Sequence, residues 1–175
     1  MDDVLRKRPG TLVRSARHRL IAVTTALLVL WLTTLDRAGA ETHHPVPGTV
    51  VMDSSDSFQD LSGRLEEAVT ANDFAVVTRA SASAGAAARG ISIPGNLVIG
   101  VFRNDYAVRM LEASVPAGIE APLRFYLTEN PDGTATLTYR KPSAIFAPYG
   151  VPALDAMAAE LDPIWQQIAE QAVNQ

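Results

Sequence analysis

The first break in the mixture of polar and apolar residues is Leu20 to Leu35, LIAVTTALLVLWLTTL, sixteen residues without one charge. As a helix they reach about 24 Å, short of the roughly 30 Å hydrocarbon core that a spanning helix crosses comfortably. Basic residues precede the run, and Ala38-Gly39-Ala40 supplies a small-x-small site after it. That order predicts a cleavable signal peptide over residues 1–40, with an uncleaved inner-membrane anchor as the alternative. Residues 41–48, ETHHPVPG, hold two prolines and a glycine without periodicity and read as a flexible leader.

From Thr49 onward the apolar positions switch between two periods. Thr49-Val50-Val51-Met52 is a short β-branched run and predicts the first strand. Asp56 and Gln59 have capping-box spacing, and Phe58, Leu61, Leu65 and Val69 then recur as on one helix face. This helix should end near Asn72, a residue type that tolerates a left-handed C-terminal position. Phe74 to Arg79 predicts a second strand, and the alanine-rich Ala80 to Arg89 a short helix stopped by Gly90.

Leu97 to Phe102 is apolar throughout, the pattern of a central strand covered on both faces. A helix follows from about Asp105, with Val108, Met110 and Leu111 as its apolar positions. Leu123, Phe125 and Leu127 alternate, as do Ala135, Leu137 and Tyr139, around Asn130-Pro131-Asp132-Gly133, which predicts a hairpin. From Ala153 to Val173 a stripe of Leu154, Met157, Leu161, Ile164 and Ile168 predicts a helix, with a kink or restart at Asp162-Pro163. Residues 49–175 thus read as one α+β domain.

Charge sharpens the division. Seven of the fifteen basic side chains and only three of the nineteen acidic ones precede Glu41, leaving eight basic and sixteen acidic groups, a net of −8, after the signal. A short basic start before an apolar run is the signal-peptide arrangement, so a periplasmic or secreted location is expected. A domain at −8 with scattered cations repels phosphate backbones, which argues against nucleic acid, and membrane contact is expected only through the signal segment. With no cysteine in the chain, disulfides, thiol nucleophiles and thiolate metal sites are excluded.

Beyond residue 40 only His43 and His44 remain, both in the leader, so histidine-based catalysis finds no histidine in the predicted domain and no catalytic residue is assigned. Glu66 and Glu67 are adjacent on a helix and point about 100° apart, the pattern of a solvated face. Arg103, Asn104, Asp105, Tyr106 and Arg109 lie where a strand hands over to a helix, a place where polar side chains and free N–H groups gather. They are the candidate ligand-binding residues, although helix capping alone accounts for Asn104 or Asp105. Arg124, Tyr126 and Arg140 on the hairpin form a possible shallow surface, with Tyr139 turned inward. Cleavage after Ala40 also exposes Glu41-Thr42-His43, whose α-amine, two amide nitrogens and imidazole form a planar set suited to Cu(II) or Ni(II).

Several segments together resemble a known family. Phe58-Gln59-Asp60-Leu61 running to Leu65-Glu66-Glu67-Ala68, Leu97 to Phe102 entering Asn104, Met110, Ala121-Pro122-Leu123-Arg124, the Asp132-Gly133 hairpin and Tyr139 before Pro142 are similar, in order and spacing, to the domain-of-unknown-function 302 family of small bacterial proteins. The resemblance covers about residues 50–170. It implies a TATA-binding-protein-like α+β fold, a curved antiparallel sheet with helices packed on one face, and no established activity. This sequence departs from the family pattern at Ala82, where a histidine is common, and at Arg103-Asn104-Asp105, where a Gly-Asn-Pro turn is usual. The expected function is non-catalytic binding of a small ligand or an envelope protein, and the alternative is an enzyme using carboxylate and tyrosine chemistry near Asn104 and Asp105.

Overall fold

A computed structural model describes residues 46–174. The predicted signal segment, its expected cleavage site and the candidate Glu41, Thr42, His43 metal set lie outside the described residues.

The first strand is longer than its β-branched start suggests. β1 spans Thr49–Ser57, because Ser54 donates its hydroxyl to Asp56 and carries the polar half of the strand onward past a bulge. That extension moves the helix cap by one residue. Ser57, not Asp56, accepts from the Asp60 amide at 3.2 Å and donates to its carboxylate at 2.7 Å, opening α1 (Phe58–Ala71). Asp56 instead pairs with Arg64 on the first face of the helix. At the other end Asn72 is the C-cap, but the left-handed residue is the next one, Asp73, at φ 63°.

β2 (Ala75–Ala80) leads into the short α2 (Ala82–Ala87), and Gly90 takes the expected left-handed turn at φ 74°. β3 (Asn96–Phe102) precedes α3 (Asn104–Ala113), a 3₁₀ turn Val115–Glu120, and the hairpin of β4 (Leu123–Glu129) and β5 (Thr134–Arg140). Then come α4 (Pro142–Phe146), a 3₁₀ turn Ala147–Tyr149 and α5 (Pro152–Val173). All strand neighbours are antiparallel in the order β1-β5-β4-β3-β2.

Three expectations change here. β4, not β3, is the middle strand. β3 is also not covered on both faces: Leu97, Ile99 and Val101 are buried while Val98 is half-buried, and Gly100 is shielded locally. A Cβ on Gly100 would sit 2.1 Å from the Thr78 hydroxyl and 2.8 Å from Pro122 Cγ, so glycine permits this close approach. Finally, α5 runs through Pro163 without restarting, because Asp162 is not a cap; its carboxylate accepts from the Ser143 amide at 2.9 Å and hydroxyl at 2.6 Å.

α1 and α5 pack against each other and against the strands on one face. The core there is Leu61, Leu65, Phe125, Leu127, Leu137, Leu154 and Trp165, all essentially inaccessible. Trp165 stacks on Phe125 at 5.8 Å and meets Phe74 edge-on at 5.1 Å, and Phe125 in turn meets Tyr139, which faces inward as expected. On α5 Ile164 is only half-buried, and the wide indole of Trp165 fills the centre.

α3 inverts part of its expected pattern. Tyr106, Ala107, Met110 and Ala113, at three- and four-residue spacing, form its inward stripe, which leaves Val108 and Leu111 outside at 47% and 46% exposure. Among the described residues no helix is long and apolar enough to cross a membrane.

Candidate functional site

The five residues singled out at the β3–α3 junction are brought together, apart from Asn104, but they satisfy one another. The backbone of Arg103 occupies the N-cap of α3, and neither Asn104 nor Asp105 caps it, so the capping expectation does not hold. Arg103 instead grips Asp105 through two hydrogen bonds of 2.8 and 3.1 Å. Its guanidinium also lies 4.7 Å from the Phe74 ring centre and 4.3 Å from that of Tyr106. Arg109 approaches Tyr106 at 5.2 Å and forms a two-pronged pair with Glu160 of α5, at 2.7 and 2.8 Å.

The electrostatics follow from these pairs. The hydrogen bonds from Arg103 hold the Asp105 carboxyl below the usual range, and those from Arg109 do the same for Glu160, while both guanidinium pKa values rise. An anion kept this firmly ionised is a weak proton acceptor. Beneath the cluster, between Phe74, Val101, Met110, Phe146 and Met157, lies an apolar void of about 40 Å³. The arrangement clasps α3 to α5 and to the aromatic core.

The larger opening lies elsewhere, and sequence reasoning missed it. A groove of about 670 Å³ runs between α1, β2, α2 and β3, within the usual range of small-ligand sites. Phe58 and Leu97 supply its apolar surface, and Gln59, Ser62 and Ser81 supply polar groups. Glu66 and Arg79, joined as an ion pair across the groove, mark its polar end. Gly63 is the sequence signal that could have found it: a glycine inside a helix costs about 1 kcal/mol against alanine. A Cβ at Gly63 would meet nothing within 4 Å, so no packing constraint accounts for the glycine, and its bare backbone widens the groove.

A third surface is the ridge of Val108, Leu111, Val115 and Ile119 on α3 and the following turn, where the last two are 73% and 81% exposed. Among the described residues no group of three or more His, Asp or Glu stands close enough to hold a metal ion.

An open five-stranded antiparallel sheet bearing helices defines a mixed α+β domain, and comparison with known proteins identifies which one. The family profile described as domain of unknown function DUF302 matches residues 50–172, and the chain belongs to that family. The crystal structure of an uncharacterized conserved DUF302 protein from Bacillus stearothermophilus is similar, with a TM-score of 0.66 at 20% sequence identity. The match covers 73% of this chain and 99% of that one, a likeness of fold. No curated protein gives a significant match.

Proposed function

We propose that this DUF302 domain is exported and binds, without catalysis, a small amphiphilic molecule in the groove beside α1. The observation that carries the reading is the wall at Ser62-Gly63, where a mid-helix glycine keeps a groove of about 670 Å³ open at the expense of helix stability. The apolar body of the ligand lies on Phe58 and Leu97, and its hydrogen-bonding head meets Gln59 or the Glu66–Arg79 pair. Enzymatic carboxylate and tyrosine chemistry at Asn104 and Asp105 has less support, because Asp105 is neutralised by Arg103 and Tyr106 is flanked by two guanidiniums.

The test uses the neutral amphiphilic dye N-phenyl-1-naphthylamine. Wild type should show saturable fluorescence enhancement, and Gly63→Leu, whose side chain fills open space, should fold normally and lose it. Equal enhancement in both proteins rules the groove out. Export is checked by sequencing the N-terminus of protein taken from its host. If that terminus is Glu41, one equivalent of Cu(II) should give a visible absorption band through the His43 imidazole, and a spectrum unchanged by copper removes the metal proposal.

A second reading has its own observation. The exposed ridge of Val108, Leu111, Val115 and Ile119 suits an envelope-protein partner. Val115→Asp with Ile119→Asp should then abolish co-migration with that partner while leaving dye binding intact.

A further inference from the structure

Among the described residues the face of the sheet opposite α1 and α5 carries no long helix, and its side chains fall into cross-strand rows that the register fixes. Val51, Thr138, Tyr126 and Val98 form one row across β1, β5, β4 and β3. Asp53, Thr136 and Thr128 form the next, with the Thr136 hydroxyl bonded to Asp53 at 2.9 Å. In the row on the other side, Thr49 pairs with Arg140 and Gly100 with Arg124. One step beyond the Phe125–Tyr139 pair, the same register sets Arg124 beside Arg140 on neighbouring strands about 4.8 Å apart.

Two cations side by side on adjacent strands repel each other. Elsewhere Arg64, Arg79, Arg103 and Arg109 each have a carboxylate partner. Arg124 has none among the described residues, and Arg140 donates only a long 3.4 Å bond to the Ala144 carbonyl. Both are exposed. In a domain at −8 after the signal, the adjacent unpaired cations are a local reversal of sign. Next to them Tyr126, 42% exposed, presents a ring between Thr138 and Val98.

We propose that this bare face is a second binding site, for a carboxylated sugar chain. One carboxylate fits between the two guanidiniums, where charge-assisted hydrogen bonds replace their mutual repulsion. A pyranose ring lies against Tyr126 and Val98, since an aromatic face offers apolar area with little entropy to lose. The Thr138 hydroxyl beside Tyr126 and the Thr128 hydroxyl in the next row suit a ligand rich in hydroxyl groups. Densely charged polyanions fit poorly, because the rest of the domain repels them. The site is independent of the groove, which opens on the helical face.

The test is a ¹⁵N-amide titration of the host-processed protein with tetragalacturonate, alongside its methyl ester. The acid should shift amides around Arg124, Tyr126, Thr138 and Arg140, and the ester should bind at least about tenfold more weakly, a loss of one charge-assisted contact. R124Q and R140Q should each lose about tenfold or more while keeping the wild-type circular dichroism spectrum. R124Q alone should also raise the thermal midpoint, since it removes the repulsion. Gly63→Leu should bind the acid as wild type does, so failure of the groove reading leaves this one standing. Absence of saturable shifts up to about 10 mM, equal binding of the ester, or full affinity in either glutamine variant overturns the proposal.

Discussion

Replacing Trp165 by Phe sets two effects of similar size against each other. Trp165 is 1% exposed, and its indole N–H has no hydrogen-bond partner among the described residues. A buried donor left unsatisfied costs about 1–3 kcal/mol, and Trp165→Phe removes that donor without orphaning an acceptor. Against this, phenylalanine is smaller by roughly 40 Å³, which at about 24 cal/mol per Å³ of cavity costs about 1 kcal/mol, with a further part lost in transfer. The contacts with Phe125 and Phe74 persist in weakened form, because a six-membered ring still reaches both. The net change should lie within about 1 kcal/mol of zero, whereas Trp165→Ala should lose about 3–5 kcal/mol. Urea denaturation followed by far-UV circular dichroism measures both. Fluorescence is unsuitable, because Trp165 is the one tryptophan after Trp31 and the substitution removes the probe. A loss above about 3 kcal/mol for Trp165→Phe would contradict this balance and mean that the indole N–H is well bonded in solution.

Three further outcomes are expected. Gly63→Ala should stabilise the protein by about 0.5–1 kcal/mol in the same urea assay, since the methyl enters open space on a helix; a loss would show the glycine to be needed for packing. Gly100→Ala should destabilise by about 1–3 kcal/mol, because its methyl collides with Thr78 and Pro122, and adding Thr78→Ala should recover part of this; a neutral Gly100→Ala contradicts the crowding. The pH dependence has two limbs. Asp105 and Glu160 have lowered folded-state pKa values, so their contribution is complete above about pH 4–5 and fades as the pH falls through those values. Arg109→Gln should therefore flatten the acid limb of the urea midpoint, and parallel curves would contradict the pairing. Burial raises Tyr139, so its contribution holds below about pH 10 and is lost as the pH climbs through the folded value, a limb that Tyr139→Phe should shorten.

The sheet and most helices were legible because their signals are local. The Asp132-Gly133 turn with alternating flanks predicted β4 and β5, and the helical spacing of Leu61, Leu65 and Val69 predicted α1. Where polar residues continue a strand, as Ser54 and Asp56 do at the edge, hydrophobic rhythm stops too early and displaces the cap. The inward side of α3 depends on its contact with α5, which no window within α3 contains. The candidate cluster was legible as a place but not as a set of ion pairs, since the partner of Arg109 is Glu160, fifty-one residues away. The groove was invisible for the same reason, being shared by four elements, and the mid-helix Gly63 was its single local trace.

Native mass spectrometry of the protein purified from its own host is the most direct test of a ligand held in the groove. Wild type should carry a non-covalent adduct of a few hundred daltons that Gly63→Leu lacks, since ligands of that mass fill grooves of this size. Bare protein in both samples, or the same adduct on both, contradicts it.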